Sequence, residues 1–192
     1  VLLKFLFFSW KAAFFLTAAG VLIYMVLTSF HYGIVWDEWI QSHYGKLVLK
    51  FWLSSMGNRE CLTFGKTMYL YGGLFDTLTA FIYGLLFDSV KNVSEYSLAH
   101  DLVASHWFET RHVVNALFGF MAMLYTGLTA KKLGNWRTAW LSLMIIFLSP
   151  RFLGNAMNNP KDIPFAAANI FTYYFMLNFI SELPTPRLNT CL

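Results

Sequence analysis

Four long apolar stretches constrain what this chain can fold into. An α-helix needs about 20 predominantly apolar residues to cross the hydrocarbon core of a bilayer. The four candidate spans cover approximately residues 12–31, 112–130, 138–157 and 163–181, and the third is interrupted by Pro150. We therefore expect an all-α integral membrane protein, with residues 1–192 forming a single membrane domain.

The composition supports a membrane location and argues against nucleic-acid binding. Only 12% of the residues are charged, whereas soluble domains carry about 25%. No run of Lys or Arg typical of a nucleic-acid-binding segment is present. Cys61 and Cys191 lie far apart in sequence and lack a CxxC partner, so they indicate neither a disulfide framework nor a metal site. The expected partners include membrane lipid and exclude nucleic acid.

A fifth apolar stretch, Gly73–Phe87, determines the predicted topology. It is shorter than a span and contains Asp76, which favours a helix at the membrane interface. With this stretch outside the bilayer core, the basic segment 131–137 lies on the cytoplasmic side, as the positive-inside rule predicts. Residues from about 32 to 111 then form one long outer loop. Its segment from Asp37 is predicted to be an amphipathic helix on the membrane. The apolar face of that helix contains Ile40, Tyr44, Leu47 and Phe51.

Two adjacent carboxylates, Asp37 and Glu38, lie shortly after the first span. A charge at the membrane boundary is costly unless it is solvated, paired or functional. A helix start explains Asp37, since an N-cap carboxylate favours the positive end of a helix. It explains Glu38 less well. The alternative is a catalytic pair in which one carboxylate acts as a general base.

Three further ionisable residues lie on the same predicted side. Arg111 is interpreted either as an interfacial arginine that extends to water or as an anion site, because a guanidinium binds phosphate through two hydrogen bonds. Asp162 is interpreted either as a helix cap or as a functional carboxylate, and Lys161 as a solvated charge or a second phosphate contact. The histidines at positions 100, 106 and 112 lack the i, i+4 spacing of a helical zinc site, so no transition-metal site is predicted.

The order of these motifs resembles a known family. Asp37-Glu38 is followed by His43-Tyr44-Gly45-Lys46, Arg111 precedes "NALFGF", and Asp162 follows the third span. This arrangement is similar to the N-terminal part of the protein O-mannosyltransferase-like glycosyltransferases of the GT-C superfamily, over about residues 10–180. The family's His-Pro-Pro is replaced here by Tyr71-Gly72-Gly73, which leaves the sugar and the acceptor open.

The resemblance implies a GT-C-like fold of about four spans, with interfacial helices in the first outer loop. It also implies transfer of a sugar from a polyprenyl-phosphate donor to an acceptor hydroxyl. The site would face the periplasm in a bacterial inner membrane, or the lumen in an endoplasmic reticulum membrane. In this interpretation Asp37 is the general base and Glu38 assists it, while Arg111 and Lys161 bind the donor phosphate. Asp162 orients the acceptor or holds a divalent cation, and no cofactor is required.

The sequence leaves two alternatives open. The chain is interpreted as a fragment of a longer polytopic protein, so one alternative is a non-catalytic GT-C-like subunit that packs with other membrane subunits. The other is a transporter fragment. A transporter would place ionisable residues at mid-membrane, whereas here they gather near one edge, so the transporter is the least favoured.

Overall fold

The computed structural model describes residues 9–95 and 106–184, and within these residues the regular structure is entirely helical. Nine α-helices and one short 3-10 turn at Met68–Leu70 follow one another in this part of the chain. In order they are α1 (Trp10–Ser29), α2 (Glu38–Leu53), α3 (Glu60–Thr63), α4 (Leu74–Phe87), α5 (Val90–Glu95), α6 (Trp107–Leu133), α7 (Trp136–Phe147), α8 (Pro150–Asn158) and α9 (Asp162–Ser181).

Three helices of the described chain, α1, α6 and α9, are long and apolar enough to cross a membrane. A fourth candidate is the pair α7 and α8, which passes the same test as a broken span bent by 71°. The break falls at Pro150, the first residue of α8, because proline lacks a backbone N–H and fixes the φ angle. The prediction of an all-α protein with apolar, membrane-length helices is confirmed.

The core lies around α6, which contacts α1, α7, α8 and α9. One face of α1 supplies Phe14, Ala18, Val21 and Met25 at helical spacing, and all four are buried. Small residues allow the helices to approach closely. At Gly119 of α6 an added Cβ would lie 2.6 Å from the Ala156 Cβ of α8, so a larger residue would push α8 away.

Helices α2, α4 and α5 form a second layer beside the N-terminal half of α6. Their shared core contains Leu49, Ala80, Tyr83, Val93 and Trp107. The structure differs here from the expectation that the apolar face of α2 contacts the membrane. Tyr44, Leu47 and Phe51 pack instead against the following loop, at Cys61, Phe64 and Met68. The loop returns over α2 and covers its apolar face with protein.

Candidate functional site

The candidate residues converge on one end of the helix bundle, in two layers. The outer layer is an open cavity that contains Asp37, Lys161 and Asp162. The inner layer is a buried ion cluster that contains Glu38 and Arg111. The two layers are adjacent because Asp37 and Glu38 are consecutive at the start of α2.

The open cavity has a volume of about 330 Å³ and a polar lining. Besides the three charged residues, side-chain amides line it, from Gln41, Asn155, Asn158 and Asn159. A second cavity, of about 560 Å³, shares Gln41, Pro160, Lys161 and Asp162 with the first. This second cavity extends along apolar side chains of α4, α6 and α9, among them Leu78, Phe118 and Phe165. A polar compartment therefore adjoins a larger, more apolar one.

Asp37 occupies the N-cap position of α2, yet its side chain makes no capping hydrogen bond. Its carboxylate instead accepts hydrogen bonds from Lys161 Nζ at 2.8 Å and from Gln41 Nε2 at 3.1 Å. The hydrogen bond from Lys161 lowers the pKa of Asp37 below its ordinary value of 3.8. Asp37 therefore stays ionised as the pH falls to that ordinary value, and its pair with Lys161 is lost only at lower pH.

Asp162 is the first residue of α9 and benefits from the positive end of that helix. Its Oδ2 accepts a hydrogen bond from Asn159 Nδ2 at 3.0 Å. The Oδ1 of Asn159 in turn accepts from the backbone N–H groups of Lys161 and Asp162, at 3.3 and 3.1 Å. The sequence interpretation missed Asn159, although Asn before Pro is a turn signal that indicates such a bridging role.

Glu38 is only 1% exposed and lies beneath the cavity. One carboxylate oxygen is 3.5 Å from Arg111 Nε, and His112 Nε2 is 3.2 Å from the same carboxylate. The backbone N–H of Val35 donates to Glu38 Oε2 at 3.3 Å. Glu38 thus connects the start of α2 to α6 and does not line either cavity.

Arg111 is 1% exposed, so it is not an interfacial arginine that extends to water. Its Nη2 donates to Asp76 Oδ1 at 2.7 Å, and its Nη1 donates to Thr79 Oγ1 at 3.1 Å. Asp76 was missed as its partner, although a carboxylate in an apolar helix is itself a signal of pairing or function. The guanidinium connects α2, α4 and α6, and its buried charge is balanced by two carboxylates.

The described residues contain no group of three or more His, Cys, Asp or Glu side chains that could hold a metal ion. His112 contacts Glu38, and His106 contacts Glu109. Cys61 is buried. His100 and Cys191 lie outside the described residues.

No protein family, curated protein or solved structure matches this chain. The assignment of a function therefore depends on the residues of the two layers. Three of the five predicted site residues, Asp37, Lys161 and Asp162, share a cavity. The other two, Glu38 and Arg111, lie together in the ion cluster beneath it.

Proposed function

We propose that the protein is a membrane glycosyltransferase of GT-C type, which moves a sugar from a polyprenyl-phosphate donor to an acceptor hydroxyl. The observation that carries this proposal is the polar cavity with Asp37, Lys161 and Asp162 beside the apolar cavity along Phe118 and Phe165. A lipid-linked sugar has the same division, with a charged head and an apolar chain. Lys161 lines both cavities and can contact a phosphate at their junction.

The reaction assigns one task to each charged residue of the polar cavity. Asp37 accepts the proton of the acceptor hydroxyl, and the oxygen of that hydroxyl attacks the anomeric carbon of the sugar. The bond between the anomeric carbon and the phosphate oxygen breaks, and the lipid phosphate leaves with the bonding electron pair. Lys161 stabilises the negative charge of this leaving group, and Asp162 orients the acceptor.

In this proposal, donor binding also changes the basicity of Asp37, because Asp37 is paired with Lys161. Without substrate, Lys161 lowers the pKa of Asp37 and makes it a weak base. When the donor phosphate takes the ammonium group, Asp37 loses that hydrogen bond and becomes more basic. Asp37 is therefore a stronger base when the donor is bound. Without the donor, its lowered pKa keeps it from taking up a proton.

Glu38 and Arg111 support the site from below in this proposal. Arg111 is engaged by Asp76 and Thr79, and Glu38 is enclosed, so both hold α2 in position against α6. The basic residues Lys11, Lys131 and Arg137 are at the opposite end of the spans. We therefore assign the site to the periplasmic or luminal side under the positive-inside rule.

A second candidate function is a non-catalytic GT-C-like subunit within a larger membrane complex. The observation in its favour is the same guanidinium, since Arg111 lines neither cavity and its two Nη atoms are bonded to Thr79 and Asp76. Phe165 of α9 is also 72% exposed, which leaves an apolar surface for a neighbouring helix or lipid. In this case the cavity would bind a donor without transferring its sugar.

The experiment that separates the two functions uses Asp37→Asn in the full chain, purified in detergent. Polyprenyl-phosphate hexoses carrying a labelled sugar are the donors, and release of the sugar to acceptor or water is measured. We expect the substitution to lower the rate by about 100-fold or more, because it removes a general base, while donor binding persists. Asp88→Asn removes an exposed carboxylate that does not line the cavity and is the matched control.

Three results contradict the proposal or one of its residue roles. Transfer retained by Asp37→Asn rejects Asp37 as the base. Donor binding without transfer by the native chain supports the subunit. Donor binding unaffected by Lys161→Met rejects Lys161 as the phosphate contact.

A further inference from the structure

A third cavity, lined by basic residues, lies at the other end of the bundle, where α1 and α7 begin. It has a volume of about 410 Å³. It is lined by Ser9, Trp10, Lys11, Asn135, Trp136 and Arg137. None of these residues lines the two cavities of the proposed transferase or belongs to the buried ion cluster.

The cavity carries a concentration of positive charge held on indole rings. Lys11 Nζ and Lys131 Nζ lie 5.8 and 5.6 Å from the centre of the Trp136 ring. Arg137 Cζ lies 5.7 Å from the centre of the Trp10 ring. Among the residues that the structure describes, no carboxylate lines the cavity and none of these three cations forms an ion pair. Cation–π contacts hold the charges near one another without neutralising them.

Two helix N-termini add to this positive potential. Ser9 caps α1, and Asn135 caps α7 with a capping box in which its side chain accepts from the N–H groups of Arg137 and Thr138. The N-terminus of a helix carries about half a positive charge, so both helices favour an anion in the space between them.

We propose that this cavity binds the phosphate head group of an anionic glycerophospholipid. The positive charge of Lys11 and Arg137 favours binding of an anion, and the apolar side chains nearby favour a lipid over a free ion. Phe15 and Leu16 of α1 and Leu141 of α7 are exposed just beyond the cavity and can contact acyl chains. Basic pockets between membrane helices bind lipid head groups in this way. Tryptophan side chains are enriched at the level of the head groups in a bilayer. The proposal is independent of the proposed sugar transfer.

The test measures lipid binding to the full chain by native mass spectrometry from detergent. Phosphatidylglycerol is compared with phosphatidylcholine, and inorganic phosphate is added in a separate arm as a competitor. The native chain is expected to retain phosphatidylglycerol preferentially. The double substitution Lys11→Gln and Arg137→Gln is expected to reduce that preference by about tenfold or more, because each cation near an anionic lipid contributes favourably.

The matched control is Lys66→Gln with Lys91→Gln, which removes the same charge from exposed positions outside this cavity. A second variant, Lys11→Arg with Arg137→Lys, keeps the charge and should keep the preference, which guards against misfolding of the Gln variant. Equal binding of both lipids by the native chain overturns the proposal, as does an equal loss in the control. Displacement of the lipid by millimolar inorganic phosphate indicates a free-anion site and overturns the assignment to a lipid.

Discussion

Adjacent residues at the start of α2 occupy opposite environments. The Asp37 side chain is 54% exposed in the cavity, whereas that of Glu38 is 1% exposed in the ion cluster. Successive side chains on a helix point about 100° apart, so two adjacent carboxylates at the start of α2 face different surroundings. One reaches the open cavity and the other the buried ion cluster. The two carboxylates are therefore a surface group and a buried structural group, and only Asp37 can meet a substrate in the cavity.

The buried ion cluster predicts a large effect of Arg111→Ala. The substitution leaves Glu38 and Asp76 as buried carboxylates without their cation, which typically costs about 3–5 kcal/mol. We expect the free energy of unfolding in detergent to fall by about this amount, as measured by chemical denaturation. Arg59→Ala removes an exposed arginine and should change the stability little. Equal stability of the two variants would show that the cluster is not stabilising.

At the scale of the helices, the motif His43-Tyr44-Gly45-Lys46 has a packing role. The His43 ring lies 5.1 Å from the Phe64 ring, and Tyr44 belongs to the core between α2 and its following loop. Lys46 is fully buried, with its Nζ 5.3 Å from the centre of the Trp107 ring. Each of these residues faces a different neighbour, so the motif holds α2 in place beneath the cavity.

Gly45 is the member of this motif with the clearest test. A Cβ added there would overlap the backbone of Asp76, because α2 and α4 are in direct backbone contact. We expect Gly45→Ala to lower the free energy of unfolding by about 1–3 kcal/mol, the usual range for overpacking. Displacement of Asp76 would also disturb its hydrogen bond with Arg111.

The matched control for Gly45 is Gly20→Ala in α1. Apart from the adjacent residues and backbone of α1 itself, no described atom lies within 4 Å of a Cβ added at Gly20, and alanine favours a helix interior. This variant should be as stable as the native chain or slightly more stable. Equal stability of Gly45→Ala and Gly20→Ala would contradict the close packing of α2 against α4 at this position.

At the scale of the molecule, α6 separates two polar ends. It has 27 residues, which corresponds to about 40 Å at 1.5 Å per residue. Arg111 lies near its first turn, and Lys131 lies in its last. Because the chain bends between α7 and α8, α8 packs near the end of α6 that contains Arg111. There Asn115 Nδ2 of α6 donates to the carbonyls of Asn155 and Ala156 at 3.1 Å. The bend thereby brings the amide side chains of α8 to the cavity.

This arrangement predicts that the two ends are accessible from opposite sides of the membrane. Trp36 and Leu133 are both exposed and lie at opposite ends of the bundle, so each can be replaced by cysteine in a chain with Cys61→Ser and Cys191→Ser. A membrane-impermeant maleimide applied to intact cells should label the cysteine at one position, and labelling of the other should require permeabilisation. Labelling of both positions in intact cells would contradict this topology.

Much of the architecture could be predicted from local sequence. The long apolar stretches predicted the helices of membrane length, and Pro150 predicted the break between α7 and α8. Counting spans placed Asp37, Glu38, Arg111 and Asp162 at one end, where the structure also has them. The pairing of Arg111 with Asp76 and the protein cover on the apolar face of α2 could not be predicted, because each depends on segments distant in sequence. The bridge made by Asn159 is local, and the Asn-Pro turn signal could have indicated it.

Local sequence was enough to specify a helical chain whose charges lie near two ends. Both follow from the high cost of placing polar backbone and side chains in an apolar environment. Which of these charges a ligand can reach depends on how the helices pack. Glu38 and Arg111 are buried together in the ion cluster, because burying an unpaired charge is costly. Asp37, Lys161 and Asp162 line the open cavity, and Asp76 of the cluster also lines the larger one.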